Sequence, residues 1–418
     1  MQRAVLLFLV VFLLILPKGG LKLGGVPVTW GYLGLGAASL WLPLALYARR
    51  PVPIQKIRLV CLALMVPFQL VSWAGFLANG TDDVGFTLSF FVSFFFIPAF
   101  FLLIAGVHLD EIDLGLLLKM VRIGILLVAA YGIFLFFYRI LAGSFIEIPY
   151  HTVNAGDVGM LETKHIDRGD IFKLISTYNN GNLYGISMLL LLPLYAYLEP
   201  GVGRQAVVKG SLVLTLSRTV WIGLLAYEVL SRLLVRRITW RTVISLALWV
   251  ALAIGGVLVA LSLFDRDISF IFDRRLGGRI DQLTYLFEAS ILPSGIFRTI
   301  EEMLYLSLID SFGILGLVTF LIGITGPLVL YLGGFVEGRD TVYKRSLALG
   351  LLVHLIVAIS DGATLYIPVM AIYWFLVTLL LSENPTYVNG RRRRGEPRPS
   401  VSAPPSVIGM EPRPALHA

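Results

Sequence analysis

Apolar runs of about the length of a membrane-spanning helix recur along almost the whole chain. A helix needs about 20 apolar residues to cross the hydrocarbon core of a bilayer. The composition agrees, because 57% of the 418 residues are hydrophobic and only 14% are charged, whereas soluble domains carry about a quarter charged residues. The sequence therefore predicts an all-α polytopic membrane protein.

About twelve apolar runs qualify as spans when short, tilted or broken helices are admitted. They cover residues 4–16, 28–48, 57–78, 84–106, 118–141, 182–198, 206–217, 219–235, 241–264, 304–333, 346–364 and 366–382. The first run lacks an obvious signal-peptide cleavage site, so we predict that it is retained as a helix.

Lysine and arginine residues sort the short connections into two sides. The connection after 28–48 carries Arg49 and Arg50, the one after 219–235 carries Arg236 and Arg237, and the C-terminal segment carries Arg391–Arg394. The positive-inside rule makes this side cytoplasmic, and an even number of spans places both termini there. Residues 383–418 are Pro- and Arg-rich and predict a disordered cytoplasmic tail, which leaves 1–382 as the transmembrane domain.

Two connections on the opposite side are long, at residues 144–181 and 265–302. Both keep aromatic and apolar side chains, which is typical of structured, functional loops. Within the second loop, Leu283, Leu286 and Phe287 are spaced three and four residues apart. This spacing predicts an amphipathic helix over residues 279–290 that lies across the membrane face.

Arginine occurs at two places where a membrane protein normally avoids it. Arg218 stands inside the apolar run 214–223, and five more arginines stand in the second loop: Arg266, Arg274, Arg275, Arg279 and Arg298. We predict that two short helices meet at Arg218, which keeps its charge at the outer surface. Charge inside a bilayer is costly, so such residues are functional candidates. Their clustering on one face predicts an anionic ligand, and phosphate matches the planar arginine fork best.

The remaining residues exclude several classes of protein. The single cysteine, Cys61, excludes an intramolecular disulfide and a cysteine-rich metal site. The five histidines have no zinc-ligand spacing. No phosphate-binding loop is present, and the cytoplasmic loops are too short for an ATPase domain, so the chain is not an ATP-driven pump. The net charge of +8 divides between the tail and the outer arginines, which argues against a nucleic-acid partner.

Four short motifs occur in an order that resembles the O-antigen ligase and O-antigen polymerase superfamily. The motifs are Tyr178–Gly185, Leu216–Trp221, Ile291–Gly295 and Phe312–Leu317. The resemblance implies a metal-independent membrane glycosyltransferase without a cofactor, in the bacterial inner membrane. Its donor would be an undecaprenyl-pyrophosphate-linked oligosaccharide, used at the periplasmic face. Membrane lipids and a chain-length regulator are the partners that fit this interpretation.

One departure separates the two activities of that superfamily. Its ligases usually carry a His-Asn pair about eleven residues before the Gly-Ile-Leu-Gly segment, whereas this chain has Glu301 and Glu302 there and no nearby histidine. The departure favours a polymerase in which a carboxylate fills the histidine's place. A glutamate whose pKa is raised by apolar surroundings can act as general base for the acceptor hydroxyl. Glu302 is the first candidate, Glu301 the second and Asp310 the third.

The other site residues are assigned by the charge that the reaction develops. Arg218 and Arg279 are predicted to stabilise the pyrophosphate leaving group. The predicted substrate-binding residues are Arg275, Arg298, Tyr178, Asn179, Asn182 and Glu301.

Each assignment has a structural alternative. Arg218 would bond backbone carbonyls at a helix break, Arg279 would anchor a helix to lipid headgroups, and Glu302 would favour a helix N-terminus. Asn179 and Asn182, together with Asn180, would be turn and cap residues. His354 and Asp361 are seven residues apart in a predicted helix, so they would share one face and line a polar channel.

Two other functions remain open. One is a ligase that transfers the finished glycan to lipid A core. The other is a transporter of a lipid-linked glycan, which should show paired repeats or charges spread over both halves of its spans. The concentration of arginine near one face favours an enzyme.

Overall fold

The computed structural model describes residues 7, 10–23, 26–47, 54–111, 114–162, 167–168, 171–235, 240, 244, 255, 279–297 and 303–383. Most of these residues are helical. The α-helices are α1 (Trp30–Tyr47), α2 (Lys56–Asn79), α3 (Val84–Phe91), α4 (Ile97–Ala99), α5 (Gly106–Glu111), α6 (Leu114–Ala142), α7 (Gly181–Leu198), α8 (Val202–Val213), α9 (Arg218–Val235), α10 (Arg279–Gln282), α11 (Thr284–Phe287), α12 (Leu304–Leu332), α13 (Val342–Val357) and α14 (Ile367–Leu381).

Shorter elements connect and extend these helices. Wider π-helical turns cover Val11–Ile15, Val92–Phe96 and Phe100–Ala105, and tighter 3-10 turns cover Ala155–Asp157, Ser176–Tyr178 and Gly362–Leu365. The strands are β1 (Gly20–Leu23), β2 (Val26–Thr29), β3 (Asp167–Arg168) and β4 (Ile171–Phe172), paired antiparallel as β1–β2 and β3–β4. The hairpin β1–β2 was not predicted. It delays the start of the second predicted helix from residue 28 to Trp30.

Within the described residues, five helices are long and apolar enough to cross a membrane. They are α2, the continuous run Val84–Asp110, α6, α7 and α12, and α14 is a shorter apolar helix. The predicted span 57–78 corresponds to Lys56–Asn79, and 182–198 to Gly181–Leu198. The chain is thus a mostly helical protein with the character of a membrane protein, as predicted. The count of about twelve spans stays a prediction, because the run 241–264 lies almost wholly outside the described residues.

The ends of the described helices collect at two opposite ends of the bundle. At one end, the residue after α2 bonds to the second long loop, with Phe297 N donating to Gly80 O at 3.3 Å. At the other end, Arg58 near the start of α2 pairs with Asp110 in α5 at 2.8 Å. Arg58, Asp110 and Ser382 come from three connections that were predicted to share a side, and they bond to one another at this end. We call the end that carries residues 144–162 and 279–297 the loop end; the compartment that it faces stays a prediction.

Buried charges join four helices at the end opposite the loop end. Arg58 is fully buried, and Asp110 accepts bonds from Arg58 at 2.8 Å and from Ser382 Oγ at 2.6 Å. The ammonium of Lys344, also buried, donates to the carbonyls of Leu379 and Ser382 at 3.1 and 2.6 Å. These carbonyls lie at the end of α14, where a helix has no backbone donors for its last turn. Removing one partner of a buried ion pair typically costs about 3–5 kcal/mol, so this cluster fixes the ends of α2, α5, α13 and α14 together.

The described part of the first long loop, residues 144–162, 167–168 and 171–181, is structured, as predicted. Arg139 at the end of α6 pairs with Glu162 at 2.9 Å, and its guanidinium lies 4.2 Å from the ring centre of Phe172. A small second core forms beneath these residues: Leu135, Val153, Leu161 and Ile175. The loop therefore has its own packing and a fixed position on α6.

Helix α12 is interrupted near its start, and the second long loop occupies the interruption. Gly313 has a left-handed φ of 70°. The next two backbone amides donate to that loop, Ile314 N to Ser290 O at 2.9 Å and Leu315 N to Ile291 O at 3.0 Å. The loop thus supplies acceptors for amides that the interrupted helix leaves unsatisfied.

An aromatic cluster holds the other end of the same loop segment. Phe297 is 2% exposed. Its ring centre lies 4.8 to 5.4 Å from those of four phenylalanines: Phe76, Phe86, Phe90 and Phe312. Large buried aromatic rings contribute strongly to packing, so residues 290–297 are fixed at both ends.

Replacing Gly313 with alanine should destabilise the protein. With φ 70° and ψ −177°, Gly313 lies in a backbone region that only glycine adopts readily and that costs other residues about 1–3 kcal/mol, and an ideal Cβ here would lie 2.7 Å from Ile291 O. We expect Gly313→Ala to lower the thermal unfolding midpoint of the detergent-solubilised protein. The matched control is Gly210→Ala in α8, where a Cβ would meet nothing within 4 Å. Equal midpoints for Gly313→Ala and the wild type would contradict the importance of this interruption.

Candidate functional site

Helices α8 and α9 meet at Arg218. Helix α8 ends at Val213 and α9 begins at Arg218. Between them Leu216 has a left-handed φ of 50°, which is unfavourable for a residue with a side chain. The prediction of two helices that meet here is confirmed, and Arg218 occupies the first position of α9.

The connection between α8 and α9 is held by hydrogen bonds from two directions. Leu174, in the first long loop, donates its backbone amide to Leu214 O at 3.0 Å. The indole Nε1 of Trp221 in α9 donates to Val213 O at 2.9 Å. These bonds satisfy carbonyls that the end of α8 leaves free. The direction in which α9 starts, and hence the position of Arg218, is therefore fixed by the first loop.

The predicted amphipathic helix over 279–290 is shorter and broken in the structure. Helix α10 is followed at once by α11, which ends at Phe287. Leu283 N and Leu286 N donate to carbonyls three residues back, and the Thr284 hydroxyl donates to Asp281 O at 2.6 Å. Tighter turns and a side chain that competes for a backbone carbonyl both work against a continuous α-helix.

Arg279 and the start of α9 come together at the turn that follows α13. Arg279 Nε donates to the backbone carbonyl of Ser360 at 3.1 Å. The Ser360 hydroxyl donates to Thr219 Oγ1 at 3.2 Å, and Thr219 follows Arg218 directly. The turn thus bonds both to Arg279 and to the residue that follows Arg218, so the two predicted catalytic arginines belong to segments, distant in sequence, that meet there. We call Arg218, Thr219, Arg279, Ser360 and Asp361 the arginine site.

Asp361 begins a 3-10 turn and does not share a helix face with His354. Helix α13 ends at Val357. The carboxylate of Asp361 accepts the amide of Ala363 at 2.9 Å, and the residue is 3% exposed. The prediction of a shared helix face was wrong, because tight turns after Val357 end the helix before Asp361. His354 instead lies in the core, with its ring 5.1 Å from that of Tyr373.

The composition of the arginine site favours an anion. It contains two guanidinium groups and one carboxylate, and both arginine side chains are half-buried. Arg218 also stands at the N-terminus of the 18-residue helix α9, where the helix dipole adds positive potential. Because the arginine side chains are half-buried, their attraction for an anion is stronger than it would be in open water. Such a site can bind a phosphate or pyrophosphate and stabilise negative charge as it develops.

Tyr178 and Asn179 support the first loop from inside. Tyr178 has no exposed surface, and its hydroxyl donates to Leu14 O at 2.9 Å. Burial raises the pKa of this hydroxyl, so it stays a donor. Asn179 has a left-handed φ of 54° and donates through Nδ2 to Thr152 O at 2.7 Å. The structure gives both residues packing and turn roles, and their predicted contacts with substrate stay predictions.

The asparagines that follow belong to the start of α7. Asn180 accepts the amides of Asn182 and Leu183 at 2.9 and 3.1 Å and so caps the helix. The cap interpretation is therefore correct for Asn180. Asn182 is half-buried in the first turn of α7, and its predicted sugar contact stays a prediction.

Four predicted site residues lie outside the described residues: Arg275, Arg298, Glu301 and Glu302. For Glu301 and Glu302, the nearest described residue in the chain is Met303. The backbone amide of Met303 donates to Gln282 Oε1 at 2.8 Å. Gln282 lies one turn after Arg279 in α10, so the start of α12 lies beside the helix that carries Arg279. Glu302 precedes Met303 directly in sequence.

Sequence reasoning missed Thr219, Ser360 and Gln282. Each is an uncharged polar residue that connects elements distant in the chain, so no local periodicity marks it. The sequence signal that could have found two of them is that each is adjacent to a charged residue: Thr219 follows Arg218, and Ser360 precedes Asp361 at the end of an apolar run.

No metal site or relative adds to these observations. Among the described residues, no three histidine, cysteine or acidic side chains come close enough together to hold a metal ion. No protein-family model matches the chain, and no curated protein matches it.

Proposed function

We propose that this protein is a polysaccharide polymerase of the bacterial inner membrane that works at the periplasmic face. It transfers an undecaprenyl-pyrophosphate-linked glycan, an O-antigen or exopolysaccharide chain, onto a lipid-linked repeat unit. The observation that carries the proposal is that Arg279 and Thr219, the residue directly after Arg218, both bond to Ser360. The motif order from Tyr178 to Leu317 supplies the reaction class.

The proposed reaction forms one bond and breaks another. A hydroxyl oxygen of the acceptor sugar attacks the anomeric carbon of the donor glycan. The bond from that carbon to the pyrophosphate oxygen breaks, and undecaprenyl pyrophosphate leaves with the bonding electrons. Arg218 and Arg279 stabilise the charge that develops on the leaving group. The acceptor hydroxyl gives its proton to a carboxylate, for which Glu302 is the candidate.

The distribution of charge favours this enzyme over a transporter. At the end opposite the loop end, the buried cations Arg58 and Lys344 are bonded to Asp110 and to backbone carbonyls. The arginine site, in contrast, combines two arginines with one aspartate. A transporter is expected to place ionisable groups along a path through both halves of its spans. Arginines gathered in segments that meet at one end are the arrangement expected of an enzyme at a membrane face.

An assay with purified protein and a synthetic lipid-pyrophosphate repeat unit tests the function. A ladder of products that differ by one repeat would support the polymerase. Transfer of a single glycan to a different acceptor, such as lipid A core, would replace it with the ligase. Movement of the lipid-linked substrate across a bilayer without new glycosidic bonds would replace it with the transporter.

Arg218→Lys should lose activity almost as completely as Arg218→Ala. Lysine keeps the charge but loses the two-pronged donor geometry that pyrophosphate oxygens use. The measurement is polymer formed per molecule of purified enzyme. Arg345→Lys, an exposed arginine at the opposite end, is the matched control and should keep wild-type activity. An Arg218→Lys variant with most of its activity would make Arg218 a charge anchor at the break between α8 and α9.

Glu302→Gln should abolish chain growth and leave donor binding nearly unchanged. Glutamine keeps the size of the side chain but cannot accept the proton, and loss of a general base typically costs about a hundred- to ten-thousand-fold in rate. Glu301→Gln is the matched control. Its effect should be milder, because side chains of adjacent residues point in different directions. Near-normal product from Glu302→Gln would leave the arginines as the main catalytic groups.

A further inference from the structure

The second long loop exposes an unusual amount of apolar surface. Phe287 is 91% exposed, Ile291 72% and Leu292 61%. Four further apolar residues of the loop are also exposed: Ile280, Leu283, Leu286 and Ile296. The sequence contains no charged residue from 289 to 297. In water, so large a contiguous apolar patch normally marks a surface that something else covers.

Several polar groups of the same loop are bonded within the protein. The Ser290 hydroxyl donates to Leu292 O at 2.6 Å and lies 2.8 Å from the Ser294 hydroxyl. The carbonyls of Ser290 and Ile291 accept the two amides that follow Gly313. Each such bond removes a polar group from the surface of the segment, as a segment at membrane depth requires.

The exposed patch continues the apolar surface of two candidate membrane spans. Pro293 packs on α2, where an ideal Cβ at Gly75 would lie 3.2 Å from the Pro293 Cβ. Helix α2 is itself apolar and exposed at Leu70 and Leu77, by 64% and 80%. On α12, Leu315 is 38% exposed where its amide bonds to the loop.

We infer that Phe287 and residues 289–296 are embedded in the membrane, in the leaflet at the loop end, and that lipid is the partner that covers their apolar side chains. The charge-free sequence, the internal bonding and the continuity with α2 and α12 each point to lipid. The inference does not rest on the proposed reaction. The inference also sets the depth of the arginine site in the membrane. Arg279 directly precedes Ile280, the first exposed apolar residue in the described part of the loop. The arginine site then lies at the level of lipid phosphates, and a lipid-linked anion reaches it from within the bilayer.

Spin-label accessibility in lipid nanodiscs tests this inference. Nitroxide labels are attached to Phe287→Cys and Ile291→Cys, and their collision rates with oxygen and with a water-soluble nickel chelate are measured. Leu70→Cys on α2 is the lipid reference. Asp340→Cys is the aqueous reference, because its carboxylate side chain is 83% exposed between α12 and α13. The native Cys61 is fully buried, and unsubstituted protein controls for its labelling.

The oxygen-to-nickel collision ratio at Phe287→Cys and Ile291→Cys should match Leu70→Cys and exceed Asp340→Cys several-fold. Ratios like that of Asp340→Cys would place the loop in water and overturn the inference. Low collision rates with both reagents would show protein cover, by a partner or a second copy, and would overturn it equally. Variants are compared only if they elute from gel filtration as the wild type does. Failure here would leave the polymerase assay unaffected, so the two proposals are tested separately.

Discussion

Backbone amides and carbonyls inside a membrane must find partners within the protein, and this constraint determines where the chain can leave its helices. Each departure from regular helix at the loop end has such a partner. Leu214 O accepts the amide of Leu174 where α8 gives way to α9. The amides after Gly313 donate to the second long loop. Ser360 O, after α13, accepts Arg279. The bonds that permit these breaks also bring the two loops and the arginines to one place.

The charged side chains have different kinds of partner at the two ends of the bundle. At one end, Arg58 with Asp110 and Lys344 with helix carbonyls form a closed cluster that ties helices together. At the loop end, Arg218 and Arg279 are half-buried, and Arg279 bonds to the backbone carbonyl of Ser360. A buried ion pair is seldom a strong source of stability, so the first cluster is best explained as a device for fixing helix ends. The arginines at the loop end are the ones to which the proposed function assigns an anionic ligand.

Much of the fold was predictable because apolar composition and helical length follow directly from the thickness of a bilayer. The break at Arg218 was predictable for the same reason, since a charge inside an apolar run must reach a polar surface. The helix over 279–290 was predicted wrongly, because its periodicity says nothing about the Thr284 hydroxyl that bonds Asp281 O. The hairpin β1–β2 was missed because its few residues carry no alternating pattern long enough to detect.

The sequence by itself determined that this chain is a membrane protein, where several of its helices begin and end, and which arginines are out of place. These properties depend on local composition and on the cost of burying charge, and both can be read along the chain. Only the tertiary structure decided that Arg279 and the start of α9 meet at Ser360, that Tyr178 faces the core, and that Asp361 leaves the helix of His354. Those outcomes depend on hydrogen bonds between segments far apart in sequence, whose partners no local pattern specifies.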